Sequence, residues 1–418
     1  MRRSLFIWLL TMLLCASQVF AAPVSNEVKT NNTLAETSRS YILMEESSGK
    51  VLLEKEADTP YPPASITKIM TLLLINDAIA QGKINWDDKV TISEHAAHMG
   101  GSQVFMEPGE EQTVRDLVKC ICIASANDAA VAMSEYIAGS EEQFVQMMND
   151  KAKELGMQNT TFKNACGLHV EGHVSCARDI AIMSRELVKN YPEITKIVTI
   201  WMDSIIHRTR RGESEFVLSN TNKMLKWYSG ITGLKTGYTP EAKHCVSATA
   251  TRDNMGLIAV IMGAQDGKIR FREAAQLLDY GFANYKVKKG PEMGTIIGSI
   301  PVKKGTLENL NVVTDETKGF VVPKSGSNAE LTYEIVYTRN SINAPIKKGE
   351  VVGSVTYYLE GEVVGEGNIV AAIDVEKATF KQMLPYTFKR FFRISKEEKA
   401  QTTEHITTKK EAKTKEVK

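Results

Sequence analysis

Three short groups of residues in this 418-residue chain carry side chains suited to nucleophilic catalysis: Ser65-Ile66-Thr67-Lys68, Ser125-Ala126-Asn127 and Lys235-Thr236-Gly237. A serine hydroxyl is a weak nucleophile until a neighbouring base takes its proton. A lysine can be that base only if burial or nearby positive charge lowers its pKa from ~10.4 toward about 7–8, a shift worth roughly 4 kcal/mol. In Ser-x-x-Lys the two side chains stand three residues apart, which on a helix puts them on one face. A helix start at Ser65 would also favour negative charge developing there. Taken singly, each group is a weak signal. Ser47-Ser48-Gly49-Lys50 repeats the first spacing and reads as a hairpin turn, while Ser341-Ile342-Asn343 and Lys324-Ser325-Gly326 copy the other two. The first trio differs in its order and in falling at element boundaries of one α/β unit.

The elements around these groups support that distinction. Pro62-Pro63 stops what precedes and prepares a helix start. Ile66, Ile69, Met70, Leu72, Leu73 and Leu74 continue an apolar run that covers nearly every face, the mark of a buried helix, with Ser65 at its N-terminus. Short strands are expected at 41–45 and 51–55 around Ser48-Gly49. Residues 81–112, rich in Gly and polar residues, read as loops and short elements. Helices are expected over 114–124, 128–138, 141–155 and 178–189, which sets Ser125-Ala126-Asn127 at a helix break. After Gly230 the pattern turns to strands at 234–238, 244–251 and 257–264, followed by a helix at 272–285. Lys235-Thr236-Gly237 thus lies on a strand.

With 43% apolar and 24% charged residues, the chain can build two globular cores. Its net charge of +1 gives no nucleic-acid footprint. Residues 1–21 have a basic start at Arg2-Arg3, an apolar stretch and Val19-Phe20-Ala21, and read as a cleaved secretory signal. Residues 22–37 read as a linker. Cys120, Cys122, Cys166, Cys176 and Cys245 remain after cleavage, an odd number that argues against a full disulfide framework. The His95/His98 and His169/His173 pairs lack a clear third ligand, so no metal and no cofactor is expected. The catalytic unit would span 38–288. From 289 to 376, short β-rich runs recur at 294–302, 310–313, 320–322, 331–337, 351–359 and 369–375, which reads as a small β domain. In 377–395, Phe380, Met383, Leu384, Phe388, Phe391 and Phe392 alternate with Lys381, Lys389, Arg390 and Arg393 at helical spacing. This reads as an amphipathic helix on a membrane surface, kinked or divided at Pro385. Residues 396–418 are charged and expected to be disordered.

The three motifs together are those of penicillin-binding proteins and class A β-lactamases. The runs Tyr61 to Met70, Ser125-Ala126-Asn127-Asp128-Ala129, Gly233 to Thr239 and Leu277 to Phe282, with the order of domains, resemble the low-molecular-mass serine D-Ala-D-Ala carboxypeptidases. The resemblance covers about residues 38–395. It implies an α+β chain: a β-lactamase/transpeptidase-like catalytic domain, with an antiparallel sheet and helices on both faces, plus a small all-β C-terminal domain. It implies that Ser65 is acylated, with Lys68 as general base. Ser125 would relay a proton between Lys235, Lys68 and the leaving amine, and Asn127 would hold the substrate peptide. Lys235 would supply positive charge that keeps Lys68 neutral, Thr236 would help hold the terminal carboxylate, and Gly237 would let the substrate backbone lie against the strand. Backbone N–H groups of Ser65 and Tyr238 would form the oxyanion hole. Arg270 matches a family arginine near the carboxylate, with Arg272 as competitor. Cys166 stands where some members carry histidine, and Lys243 where many carry glycine.

The resemblance implies removal of the terminal D-alanine from peptidoglycan pentapeptides, acylation by β-lactams, and residence on the outer face of the cytoplasmic membrane. A β-lactamase would need a glutamate to activate the deacylating water. Glu186-x-x-x-Asn190 copies that spacing, but inside an expected helix. A catalytically silent wall-binding protein is the non-enzyme alternative.

Overall fold

The structure, a computed structural model, describes residues 34–325 and 330–382. The expected signal at 1–21 and tail at 396–418 lie outside these residues, as do most of the linker at 22–37 and of the amphipathic helix at 377–395. Among the described residues no helix is long and apolar enough to cross a membrane.

β1 (Ser40–Glu45) and β2 (Val51–Lys55) form the first hairpin. A 3₁₀ turn at Ala64–Thr67 then runs into α1 (Lys68–Ala80). β3 (Lys89–Thr91), α2 (Glu94–Ala97) and β4 (Glu111–Thr113) punctuate the stretch expected to be loops. α3 (Val114–Lys119) passes into a π turn at Cys120–Ala124, and α4 (Asn127–Ala138), α5 (Glu141–Glu154), α6 (Ala177–Asn190) and α7 (Ile194–Val198) follow. β5 (Met202–Thr209) and β6 (Gly212–Ser219) make a second hairpin. β7 (Ile231–Thr239), β8 (Lys243–Arg252) and β9 (Met255–Ala264) are consecutive antiparallel strands, and α8 (Gly267–Asn284) closes this part.

The main sheet is antiparallel throughout, in the order β2-β1-β9-β8-β7. In β9, Leu257 to Ala264 are all buried. Successive side chains point to opposite faces of a strand, so both faces of this sheet are covered; α6 and α8 pack on it. α1 is buried from Lys68 to Asn76 without interruption, as its apolar sequence requires, and sits in a core with Leu117, Ile121, Met133 and Phe144. The α+β class expected from the resemblance is the class observed.

β10 (Tyr285–Lys289), β11 (Ile296–Lys303), β12 (Asn309–Thr314), β13 (Gly319–Pro323), β14 (Leu331–Tyr337), β15 (Ile342–Asn343), β16 (Val351–Leu359) and β17 (Glu362–Ala371) make up the C-terminal part. Six of them form a sheet in the order β14-β16-β17-β12-β11-β15, and β10 pairs with β13. This part has its own core of Ile300, Leu310, Val312, Val355, Tyr357 and Ile369. Lys324 Nζ donates to the Phe282 carbonyl of α8 at 2.6 Å, tying the two parts together.

Two local expectations differ from the structure, and one hairpin was not foreseen. Residues 114–124 do not form one α-helix, because the chain widens into the π turn after Lys119. The expected last strand at 369–375 instead ends at Ala371 and begins at Glu362. Glu360 and Gly361 both adopt positive φ (53° and 83°), so β16 turns tightly into β17. The β5–β6 hairpin went unread because only Ile205, His207 and Leu218 are buried in it, too few to show a period.

Candidate active site

Lys68 is the first residue of α1 and is 0% exposed. Its Nζ donates to Ser65 Oγ at 3.0 Å, Asn127 Oδ1 at 2.6 Å and the Cys166 carbonyl at 2.7 Å. Ser65 is half-buried in the 3₁₀ turn just before α1, so the nucleophile candidate precedes the α-helix proper instead of opening it. The turn is tight because Ala64 adopts φ +48° and Thr67 Oγ1 donates to the Ala64 carbonyl at 2.8 Å.

Ser125 ends the π turn in the left-handed region, φ 61° and ψ 33°. The wide turn closes with the Ser125 N–H on the Cys120 carbonyl, five residues back, and the Ala126 N–H donates to the same carbonyl at 3.1 Å. Ser125 is thereby aimed at β7, and Lys235 Nζ donates to its Oγ at 2.8 Å and to the Thr236 carbonyl at 3.1 Å. Asn127, the first residue of α4, also donates from Nδ2 to the Gly100 carbonyl at 2.6 Å, and its own N–H donates to the Ser102 carbonyl at 2.7 Å. Asn127 therefore joins Lys68 to the 100–102 segment.

β7 runs alongside the nucleophile turn. A Cβ on Gly237 would lie 3.0 Å from the Pro63 carbonyl oxygen and 3.1 Å from both Ala64 Cβ and Ser65 N, so the strand can approach this closely only as glycine. Thr236 Oγ1 donates to Thr221 Oγ1 at 2.8 Å. Arg270, from the first turn of α8, places Nη1 at 2.9 Å from the Gly237 carbonyl and 3.2 Å from that of Cys245. Its Nε is buried and has no hydrogen-bond partner among the described residues. Arg272 is exposed. Tyr238 is exposed and stacks on His244, ring centroids 4.4 Å apart. A cleft of about 300 Å³ is lined by Ser65, Gly101, Asn127, Gly167, Leu168 and Tyr238, among others.

The cleft disfavours positive charge. Burial lowers the Lys68 ammonium to about 8, against the pull of Asp128. Burial also lowers Lys235 well below the ordinary lysine range, helped by the positive charges of Lys68 and Arg270. Burial also lowers Arg270, to about 10. Lys68 thus bonds two residues that line the cleft, Ser65 and Asn127, while Lys235 bonds Ser125 and Arg270 bonds the Gly237 carbonyl of β7.

A model of the D-alanyl-D-alanine carboxypeptidase peptidase family S11 matches residues 27–266, and one of the penicillin-binding protein 5 C-terminal domain matches residues 285–377. The chain belongs to the D-alanyl-D-alanine carboxypeptidase family. It is 44% identical to the D-alanyl-D-alanine carboxypeptidase DacF of Bacillus subtilis (strain 168), over 86% of this chain and 91% of that one. It is 35% identical to DacC of Escherichia coli (strain K12), over 82% and 85%. Penicillin-binding protein 5 from Haemophilus influenzae superposes with a TM-score of 0.69 at 32% identity, covering 83% of this chain and 99% of that one.

Within this carboxypeptidase, the copies of the three motifs stand elsewhere. Ser48 Oγ donates to Glu45 in the first hairpin, Lys324 bonds α8, and Ile342-Asn343 form β15. Glu186 lies in α6 and accepts from Asn190 Nδ2 at 2.5 Å. Cys166 meets the site through its main-chain carbonyl, while its buried Sγ lies 3.6 Å from Asn164 Oδ1. Lys243 opens β8, half-buried, at φ 57°. Sequence reasoning missed Thr221, the Cys166 carbonyl and the Thr67–His173 contact, none of which belongs to a recognisable spacing.

Proposed function

We propose that this carboxypeptidase releases the terminal D-alanine of peptidoglycan stem pentapeptides through an acyl-Ser65 intermediate, with Lys68 as the base that takes the Ser65 proton. The observation that carries this reading is the pair of hydrogen bonds Lys68–Ser65, whose serine lines the cleft, and Lys235–Ser125, which is fully buried. A substrate carboxylate beside Lys235, Thr236 and Arg270 favours the charged form of Lys235. That charge in turn favours neutral Lys68, the form able to accept a proton. Ser125, bonded to Lys235, returns a proton to the leaving amine. Asn127 fixes Lys68 and borders the peptide. Backbone N–H groups of Ser65 and Tyr238 stabilise the oxyanion, where one donor is typically worth about 2.7–4 kcal/mol. β-Lactams acylate the same serine.

The catalytic domain is assigned to 38–288 and the β domain to 289–376. The basic-apolar start at 1–21 and the aromatic-basic stretch at 377–395 support export and attachment at the outer face of the cytoplasmic membrane.

The test is covalent labelling by fluorescent penicillin, with D-alanine release from pentapeptide measured beside release from a cross-linked dimer. Labelling and release are expected in the wild type and absent in Ser65→Ala. Labelling that survives in Ser65→Ala overturns the assignment. Rapid turnover of penicillin instead of a lasting adduct would favour a β-lactamase, and muropeptide binding without release a silent wall-binding protein.

A further inference from the structure

His173 is 2% exposed and lies in the segment after Gly167 that returns beside the nucleophile turn, where Tyr61 and Ser175 exchange backbone hydrogen bonds at 2.8 and 2.9 Å. Its Nδ1 accepts the Lys163 backbone N–H at 3.2 Å. That occupies the Nδ1 lone pair and leaves the ring proton on Nε2. Nε2 is 2.9 Å from Thr67 Oγ1 and donates to it, and Thr67 Oγ1 in turn donates to the Ala64 carbonyl at 2.8 Å. The Phe162 ring meets the imidazole edge-to-face at 5.8 Å. Burial, with the basic side chains of His169 and Lys163 adding to it, lowers the imidazole to about 4 and keeps it neutral.

The Ala64 carbonyl and the Ser65 N–H belong to one peptide plane, so fixing the oxygen fixes the direction of the N–H. The plane is gripped on both sides. On the carbonyl side, a Cβ at Gly167 would come within 1.9 Å of Ala64 O; on the N–H side, one at Gly237 would come within 3.1 Å of Ser65 N. Ala64 holds the left-handed φ of +48°, which an alanine keeps only when its surroundings over-determine it.

We infer that His173 is a positioning residue for acylation: acting through Thr67, it sets the plane of the Ala64–Ser65 peptide and thereby aims the Ser65 N–H at the developing oxyanion. This rests on the oxyanion role given to Ser65 N–H above. Neither His173 nor Thr67 touches the reacting atoms.

The test compares the full chain with Thr67→Val, Thr67→Ser, His173→Leu, His173→Gln and Thr67→Val/His173→Leu. The readouts are the second-order rate of acylation by fluorescent penicillin, kcat and KM for D-alanine release, and the thermal midpoint. Thr67→Val and His173→Leu are expected to slow acylation about 10- to 100-fold with KM changed less than about threefold. Thr67→Ser keeps the hydroxyl and His173→Gln keeps a donor, so both are expected to recover most of the rate. The double variant is expected to lose no more than the worse single one, as members of one relay do. Acylation of Thr67→Val and His173→Leu within twofold of wild type, or losses that multiply in the double variant, would overturn the inference. If His173→Leu does not fold, the Thr67→Val and Thr67→Ser pair decides alone. A wild type that is not acylated at all would refute the proposed function itself, a different outcome from these.

Discussion

Lys235 Nζ lies 2.8 Å from Ser125 Oγ across 110 residues of sequence, with Lys235 donating. The positive charge of Lys68 acts on Lys235, and among the described residues no carboxylate hydrogen-bonds either amine. Each is pushed toward its neutral form by burial. A base must be neutral to act, so acylation by penicillin should climb with pH. Burial lowers the Lys68 ammonium to about 8. The second-order acylation rate should therefore fall about tenfold per pH unit below that point and level off above it. A flat profile from pH 6 to 9 would contradict the role given to Lys68. Because the folded pKa lies below that of an exposed lysine, the unfolded chain binds more protons between about pH 8 and 10.4, and this group's contribution to stability rises with pH across that window.

Gly237→Ala brings a methyl carbon to 3.0 Å from Pro63 O and 3.1 Å from both Ala64 Cβ and Ser65 N, closer than ordinary van der Waals contact. The neighbours are backbone and a short side chain, so the strand must move. We expect acylation to slow by about tenfold or more, with a stability cost of roughly 1–3 kcal/mol. Penicillin labelling kinetics and urea unfolding measure the two. An unchanged acylation rate would mean that the β7 approach does not shape the cleft.

Arg270 spends Nη1 on two main-chain carbonyls, of Gly237 and Cys245, which fixes its guanidinium at the strand end. Lysine cannot reproduce that planar arrangement. Arg270→Ala and Arg270→Lys should raise KM for a D-Ala-D-Ala peptide acid about tenfold, with little change for the matching peptide amide. Equal losses on acid and amide would argue against carboxylate recognition.

Asp128 is fully buried and accepts backbone N–H bonds from Ala129 at 2.9 Å, Val104 at 3.1 Å and Met106 at 3.4 Å. It pins the segment whose Gly100 and Ser102 carbonyls hold Asn127. Asp128→Ala strands these donors and should cost about 2–4 kcal/mol in urea unfolding. A loss under about 1 kcal/mol would show that water or a shifted loop satisfies them.

The three motif groups and the buried helix behind Ser65 were legible because residue type and local order carry them. The apolar run of α1 covers every face, and the strands β7 to β9 are rich in β-branched and small residues. The π turn was not legible, since Cys-Ile-Cys-Ile-Ala reads as ordinary helix and the widening depends on Ser125 reaching β7. The His173 contact spans 106 residues and sits in a Gly-His-Val stretch with no period. The β5–β6 hairpin faces outward along most of its length, so burial left little imprint on its sequence.

Lys68 has as many protons as it has oxygens around it: Ser65 Oγ, Asn127 Oδ1 and the Cys166 carbonyl. When the ammonium sheds one proton, one of these partners must reverse its bond. A peptide carbonyl cannot reverse, and the Asn127 oxygen has no hydrogen to give. Only the hydroxyl can change sides. The pocket thus decides in advance where the vacated lone pair will look, and discharging the amine is the same event as turning the serine's hydrogen toward it.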